Sequence, residues 1–240
     1  MIGANEGSKG QVAPNPYSWD SSYFGATSER VRRKFRPIGG VSKRCFDISV
    51  ALVVVFLLLP LIIFVALLVY FTSPGPVIYR HKRVGYDGKE FSCLKFRTMH
   101  QNGDQILQAH FAQFPDAVSE WIETRKLTHD PRVTRFGAFL RKSSLDELPQ
   151  IFNILRGDMS LVGPRPIVHD ELSMYGAKAS HYLTARPGLT GAWQISGRSD
   201  TTYTERVALD VNYVTEWSFA RDILIIVQTV PAVLAARGSR

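Results

Sequence analysis

Residues 50–71 have the sequence VALVVVFLLLPLIIFVALLVYF, and this apolar run decides the fold because no other part of the chain resembles it. No charged residue occurs between Ile48 and Tyr79. About 20 apolar residues are enough to cross the hydrocarbon core of a bilayer. The run therefore predicts a membrane segment. A buried core helix is the alternative, and the chain offers no second apolar run of similar quality to pack against one.

Pro60 lies in the middle of this run. A proline removes one backbone donor and clashes with the preceding turn, so it predicts a break. Each half would then measure roughly 18 Å, which is shorter than the bilayer core of about 30 Å. Basic residues flank both ends of the run: Lys43, Arg44, Arg80, Lys82 and Arg83. The positive-inside rule thus places both ends on the cytoplasmic side. We expect a re-entrant helix-break-helix hairpin over residues 41–76, with a kinked spanning helix as the alternative.

The remaining sequence predicts a membrane-associated α+β fold. Residues 1–40 are rich in Gly, Ser, Asn and Pro and predict a flexible tail without a signal peptide. Residues 77–84 and 90–96 predict a small β-hairpin around a Gly-containing turn. Residues 77–240 as a whole are expected to form a mainly α-helical cytoplasmic catalytic domain. The predicted helices cover residues 104–114, 134–141, 203–217 and 220–236, the last of them lying in the membrane interface.

The chain is strongly basic, with a formal net charge of +8 and a pI of about 9.6. This balance implies an anionic partner, which could be nucleic acid, an anionic membrane or a phosphorylated substrate. No helix-turn-helix and no basic platform with interleaved aromatic residues is present, which argues against nucleic acid. Cys45 and Cys93 lie in separate segments without metal-binding spacing, so we expect neither a disulfide nor a zinc site.

The acidic pair Asp146 and Glu147 stands in the basic stretch RKSSLDELPQ, residues 141–150. Ser144 and Glu147 match a capping box, which would give Glu147 a purely structural role. That pattern does not explain Asp146. Two neighbouring carboxylates are hard oxygen ligands for Mg²⁺, and an Asp carboxylate can attack phosphorus as a nucleophile. The stretch therefore predicts a site for phosphate chemistry at a membrane surface.

Several basic residues are placed to surround this pair. Lys95 and Arg97 are two positions apart on a predicted strand and so share one face. Two prolines fix the backbone on either side of Arg165, and further arginines lie in Gly-rich loops, where backbone amides approach phosphate closely. These loop arginines are Arg186 and Arg198. Asp210 falls on the apolar stripe of a predicted helix, so it is either a buried ion-pair member or part of the site.

Six motifs together resemble the bacterial sugar transferase family, the monotopic enzymes that move a sugar-1-phosphate onto polyprenyl phosphate. They are KFRTM at 95–99, DPRVT at 130–134, LDELPQ at 145–150, RGDMSLVGPRP at 156–166, ARPGLTG at 185–191 and the pattern around Asp210. The resemblance covers about residues 42–238. RPIGG at 36–40 and the ending RGS at 237–239 resemble a rhizobial subgroup that starts exopolysaccharide synthesis with galactose-1-phosphate.

The resemblance implies a role for each matching residue. Asp146 matches the nucleophile that attacks the sugar-bearing phosphate of a UDP-sugar and expels UMP, and Glu147 matches its partner, with Mg²⁺ at the diphosphate. The substrate-binding positions implied are Lys95, Arg97, Arg165, Arg186, Arg198 and Asp210. One departure concerns the membrane segment, because the family's helix breaks at Ser-Pro whereas this chain has Leu59-Pro60.

The expected substrates are a UDP-sugar and undecaprenyl phosphate, at the cytoplasmic face of the bacterial inner membrane. Galactose is expected from the subgroup, with glucose or an N-acetylhexosamine as alternatives for the same reaction. A phosphohydrolase that uses water as acceptor, and a membrane-anchored scaffold or nucleic-acid-binding protein, are alternatives of other classes. Assembly as a homodimer is left open.

Overall fold

A computed structural model describes residues 36–124, 127–196 and 202–234 of the chain. Most of the predicted tail, residues 1–35, lies outside these ranges, and so does Arg198.

The described residues form an α+β fold, as predicted, with two small sheets, of which the sequence predicted only the hairpin. The helices are α1 Gly40–Thr72, α2 Gly103–Gln113, α3 Pro115–Thr124, α4 Arg135–Lys142, α5 Gln150–Arg156, α6 His169–Met174, α7 Ala179–Leu183, α8 Ala192–Ile195, α9 Tyr203–Thr215 and α10 Phe219–Leu234. The strands are β1 Ile78–Val84, β2 Glu90–Phe96, β3 Ser160–Val162 and β4 Gly188–Thr190. Short 3-10 turns cover Tyr86–Gly88, Leu145–Glu147 and Gly176–Lys178.

One of the two sheets is antiparallel and the other is parallel. β1 and β2 form the predicted antiparallel hairpin, with Ile78 opposite Phe96 and Val84 opposite Glu90. β3 and β4 are parallel and only three residues long, which places the loops that follow both strands at the same end of the pair. The hairpin carries Lys95 towards the acidic turn, and the parallel pair carries the loop that contains Arg165.

Helix α1 is one uninterrupted helix of 33 residues with Pro60 inside it, so the predicted break into two helices is not present. A proline can be accommodated within a helix by a bend, although it removes one hydrogen bond. Among the described residues α1 is the one helix that is long and apolar enough to cross a membrane. The re-entrant hairpin is therefore not confirmed by the helix boundaries.

Both ends of α1 nevertheless pack against the same folded body. Near the start, Asp47 accepts hydrogen bonds from the Ser160 hydroxyl at 2.8 Å and from the Leu161 amide at 3.1 Å. Near the end, Val65 and Val69 are buried in a cluster with Phe96 of β2. Residues near both ends of the helix therefore contact the same domain.

The basic residues before the apolar run are used inside the fold rather than left as free flanking charges. Lys43 is buried and pairs with Asp222 of α10, their Nζ and Oδ2 atoms being 2.5 Å apart. Arg44 donates to the carbonyls of Ile154 and Leu155 at 2.6 and 3.0 Å. These carbonyls lie in the last turn of α5, where a cation also stabilises the helix dipole. Arg44 thereby fixes α1 to the helix that follows the acidic pair.

An exposed apolar surface runs along the outer side of α1. It includes Leu52, Val53, Phe56, Leu57, Ile63, Phe64, Leu67 and Phe71. Helix α10 adds Ile223, Leu224, Val227 and Val230, which are also exposed. Many exposed large apolar side chains on two helices are typical of contact with lipid. The chain is membrane-associated, and α10 presents the apolar face expected of an interfacial helix.

The hairpin is fastened to α5 by one buried amide side chain. Asn153 accepts a hydrogen bond from the Leu94 amide at 2.9 Å and donates to the Ser92 carbonyl at 2.8 Å. Because Asn153 is fully buried, these bonds satisfy polar groups that water cannot reach. They fix the position of β2, and hence of Lys95, relative to the turn before α5.

Candidate active site

The acidic pair lies on a tight turn between α4 and α5. Ser144 has φ 57°, in the left-handed region, and Leu145–Glu147 form a single 3-10 turn. The predicted capping box is wrong, since the Ser144 side chain makes no capping hydrogen bond. The left-handed residue reverses the chain after α4, and the Glu147 carboxylate binds Lys95 instead of a backbone amide.

Lys95 of β2 reaches both carboxylates. Its Nζ lies 2.6 Å from Oε1 of Glu147 and 3.7 Å from Oδ2 of Asp146. The Asp146 side chain is 10% exposed and that of Glu147 is 38% exposed, so the nearer partner is also the more accessible one. The structure thus brings together three of the predicted site residues: Lys95, Asp146 and Glu147.

The surroundings of the two carboxyl groups shift their pKa values in opposite directions. The pKa of Asp146 is raised to about 6, chiefly by burial; Lys95 and Arg141 lower it, and Glu147 adds to the rise. Burial alone would raise the pKa of Glu147, but the charge and hydrogen bond of Lys95, with the charge of Arg165, outweigh burial and lower it. Such a split within one pair is typical of sites where two acidic groups have different roles.

Arg141 is a site residue that the sequence interpretation did not single out. It lies at the end of α4, and its Nε donates to Oγ1 of Thr98 at 2.9 Å. Its charge is among those that lower the pKa of Asp146. The signal available in the sequence was its position, five residues before Asp146 in the same basic stretch.

The loop between β3 and α6 places Arg165 beside the pair. Its guanidinium carbon lies 4.8 Å from the ring centre of Trp193, a residue of α8 that the sequence interpretation also missed. Arg165 is close enough to Glu147 to lower its pKa. Pro164 and Pro166 flank Arg165 in this loop, and the indole contacts its guanidinium.

Asp210 is buried and contacts the backbone of this loop at Arg165. It is 2% exposed and accepts a hydrogen bond from the Tyr175 hydroxyl at 2.8 Å. Burial raises its pKa to about 7, although the Tyr175 hydroxyl and the backbone amide of Arg165 lower it. Of the two roles considered for Asp210, a buried ion pair is not formed with any described residue. Its place in the structure is that of a support for the Arg165 loop.

Two other predicted site arginines have their nearest contacts elsewhere. Arg97 is 8% exposed, and one Nη donates to the Ser73 carbonyl that ends α1. Arg186 donates from Nε to the Gly157 carbonyl, just past α5, at 2.9 Å. Both side chains bind carbonyls at helix ends rather than the acidic pair. Arg198, the last of the predicted basic residues, lies outside the described residues.

A carboxylate pair with one lysine between its members, and arginines at its rim, suits an anionic substrate that reacts at phosphorus. The site lies on a domain that is fastened to a long apolar helix. Site and fold together define a membrane-associated enzyme that handles phosphate groups.

Comparison with known proteins specifies the family. The model of the bacterial sugar transferase family matches residues 38–236. The exopolysaccharide production protein ExoY of Sinorhizobium fredii is 55% identical over 204 residues, which cover 85% of this chain and 90% of that protein. This chain belongs to the bacterial sugar transferase family, and its predicted enzyme class, a sugar-phosphate transferase, is confirmed.

Two further relatives have names that state a reaction. The undecaprenyl-phosphate galactose phosphotransferase of Salmonella typhimurium is 48% identical over 197 residues, 82% of this chain and 41% of that protein. The UDP-glucose:undecaprenyl-phosphate glucose-1-phosphate transferase of Caulobacter vibrioides is 41% identical over 204 residues, 80% of this chain and 69% of that protein.

Proposed function

We propose that this enzyme transfers galactose-1-phosphate from UDP-galactose to undecaprenyl phosphate, through a covalent intermediate on Asp146, as the first step of exopolysaccharide synthesis. The observation that carries the proposal is the buried Asp146 carboxylate beside Lys95 and Glu147. The names of the Sinorhizobium and Salmonella relatives support exopolysaccharide and galactose respectively. The Caulobacter relative makes glucose the second candidate sugar.

In the first step a carboxylate oxygen of Asp146 attacks the phosphorus that bears the sugar. The bond from that phosphorus to the bridging oxygen breaks, and its electron pair leaves with UMP. In the second step an oxygen of undecaprenyl phosphate attacks the same phosphorus, the bond to Asp146 breaks, and undecaprenyl diphosphate-galactose is released. Lys95 stands between the carboxylates, where it can neutralise charge on the reacting phosphate, and Arg165 adds a two-pronged contact.

Mg²⁺ fits this site because Asp146 and Glu147 offer neighbouring hard oxygen donors. Among the described residues no three His, Cys, Asp or Glu side chains are grouped to hold a metal ion by themselves. Mg²⁺ commonly takes one or two carboxylates and completes its shell with water and substrate phosphates. Asp146 and Glu147 would hold the ion, which when bound would neutralise diphosphate charge. Lys95 already neutralises part of the carboxylate charge at the same place.

The raised pKa of Asp146 predicts an acid limit to the first step. A carboxyl with a pKa of about 6 is mostly ionised at pH 7.5 and mostly neutral at pH 5, and only the ionised form is a nucleophile. We expect the rate of UMP release in a single turnover to fall about tenfold per pH unit well below pH 6. In Lys95→Met the limit should move to higher pH, since Lys95 lowers this pKa. An unmoved limit in that variant would assign the titration to another group.

We further propose that α1 is re-entrant, with both ends at the cytoplasmic face. The support is that Asp47 near its start and Val69 near its end are both buried against the same domain. A straight 33-residue helix would be about 50 Å long, and a spanning one would leave one end across the bilayer from that domain.

Cysteine labelling tests this topology. Ser42 and Thr72 are exposed at the two ends of the helix, and each is replaced by cysteine in a Cys45→Ser background. In inside-out membrane vesicles an impermeant maleimide should label both positions, and in right-side-out vesicles it should label neither. Labelling of one position in each orientation would show a spanning helix.

The reaction itself is tested with purified protein, Mg²⁺ and undecaprenyl phosphate against a panel of UDP-sugars labelled in the sugar. We expect label from UDP-galactose in the lipid fraction together with an equal amount of UMP. Label in the lipid from UDP-glucose alone would replace galactose by glucose. Label in free sugar phosphate, without lipid product, would identify a hydrolase.

A further inference from the structure

Two arginines share one tryptophan at the rim of the site. The guanidinium carbon of Arg165 lies 4.8 Å from the ring centre of Trp193, and that of Arg206 lies 5.0 Å from the same centre. Arg206 comes from the first turns of α9, far from Arg165 in sequence. The fold thus places two positively charged side chains against one indole ring.

Like charges this close repel, and nothing described in the structure neutralises them directly. Neither guanidinium forms an ion pair with a carboxylate of the described residues. Nε of Arg206 is buried and has no hydrogen-bond partner there. The nearby Glu171 is paired with Arg83 at 3.4 Å, and Asp210 is bound by Tyr175. The arrangement therefore has donors and positive charge to spare.

Another tryptophan in the chain shows how an arginine is held when its role is structural. The guanidinium carbon of Arg132 lies 4.9 Å from the ring centre of Trp121. Asp130 accepts from both Nε and Nη2 of Arg132, at 2.8 and 2.6 Å. Arg132 thus has an aromatic ring and a carboxylate partner. Among the described residues Arg165 and Arg206 share the ring but form no ion pair, and Glu147, Glu171 and Asp210 act on them only at longer range. An anionic ligand would supply Arg165 and Arg206 with the negative partner that Asp130 gives to Arg132.

We propose that Arg206 binds the nucleotide-side phosphate of the donor, and retains it on UMP as UMP leaves. This inference rests on the proposed function, in which Arg165 faces the phosphorus attacked by Asp146. Arg206 and Arg165 contact the same ring and are close enough for their charges to interact. A diphosphate that reaches Arg165 with its sugar-side phosphate would therefore reach Arg206 with the other. Bond cleavage gives UMP an added charge at that second phosphate, and a guanidinium fork is suited to receive it.

Trp193 has a positioning role in this arrangement. Its ring attracts both guanidinium groups and keeps them in place before substrate arrives, which reduces the entropy lost on binding. It also holds both charges within about 5 Å of one ring centre in spite of their repulsion. A replacement of Trp193 by leucine should therefore weaken binding through both arginines without removing either charge.

The test compares UMP with uridine, which lacks the phosphate, as ligands of the full-length enzyme in detergent. In Arg206→Gln we expect the Kd of UMP to rise about ten- to hundredfold, as for loss of a charged hydrogen-bonded contact. The affinity for uridine and the KM for undecaprenyl phosphate should stay as in the wild type. Arg132→Gln is the matched control and should leave the affinity for UMP unchanged.

Wild-type affinity for UMP in Arg206→Gln would overturn the inference, and so would an equal loss of uridine and UMP. If Arg206→Gln does not fold, Arg206→Lys decides, since it retains the charge but not the fork. That variant should still bind UMP more weakly than the wild type, and unchanged binding would again overturn the inference. Failure of the proposed function is separate: it would appear as UMP release by Asp146→Asn, whatever Arg206 does.

Discussion

Asp146→Asn is expected to lower the rate of UMP release from UDP-galactose by about four orders of magnitude or more, as for loss of a covalent nucleophile. The amide has nearly the same shape but does not attack phosphorus. The variant should still bind the nucleotide sugar, because the basic side chains near the acidic pair, Lys95 and Arg165, are unchanged. Rapid-quench measurement of UMP, with a search for labelled protein, checks both the rate and the intermediate.

The same replacement should stabilise the fold. Folding raises the pKa of Asp146 to about 6, so the folded protein holds this proton more tightly than the unfolded chain does. Ionisation at neutral pH therefore opposes folding, and this opposition declines as the pH falls from 6 to about 4, the ordinary pKa of an Asp carboxyl, below which it is absent. We expect Asp146→Asn to raise the free energy of unfolding at pH 7.5 by about 1–3 kcal/mol. Equal gain at pH 5 would contradict the ionisation argument.

The control for the kinetic effect is Asp170→Asn, since Asp170 is an exposed carboxylate in the first turn of α6. It should release UMP at the wild-type rate. A labelled protein that forms in Asp146→Asn as readily as in the wild type would assign the nucleophile to another residue.

Asp222→Ala is expected to lower the free energy of unfolding by about 3–5 kcal/mol, the range for breaking one side of a buried ion pair. Asp222 is fully buried and accepts hydrogen bonds from Tyr213 at 2.7 Å and Trp217 at 3.1 Å, in addition to the Lys43 ammonium. Removing the carboxylate leaves Lys43 charged and buried without a partner. Thermal unfolding in detergent, followed by protection from a protease, measures the loss.

Two variants separate the ion pair from its surroundings. The double replacement of Lys43 by Met and Asp222 by Leu removes both charges and should recover much of the stability lost in Asp222→Ala. Glu216→Ala removes the exposed partner of Arg221 and should change stability by less than about 1 kcal/mol. A double variant as unstable as Asp222→Ala would show that packing, not charge, holds α1 to α10.

Local patterns in the sequence predicted the elements that depend on neighbouring residues. The β-hairpin follows from alternation and turn residues, and the apolar character of α1 follows from composition, although the break predicted at Pro60 is absent. The acidic pair was identifiable because two carboxylates in a basic stretch demand an explanation. The strands β3 and β4 were missed since three residues are too few to show a periodic pattern.

The errors arose where a distant residue competes with a local motif. Ser144 and Glu147 have the spacing of a capping box, but Lys95, about fifty positions earlier, binds Glu147 more closely than any backbone amide does. Arg186 was predicted to bind substrate from its loop composition, and that role stays a prediction; in the structure its Nε donates to the carbonyl of Gly157. The contribution of Trp193 was not visible at all, because nothing in its own sequence neighbourhood indicates that two arginines meet on its ring.

The contacts at the start of α1 can form only late in synthesis, because their partners lie far along the chain. Asp47 finds its partners 113 and 114 residues later in the chain, and Lys43 finds Asp222 179 residues later. At about 5–20 residues per second the ribosome needs roughly 10–35 s to make that last stretch. For most of this interval the apolar run has already been made, while the charges of Lys43 and Asp47 at its start have no permanent partner. Helix α10 is therefore the last fastening, and the membrane helix acquires its final attachment only when synthesis is nearly complete.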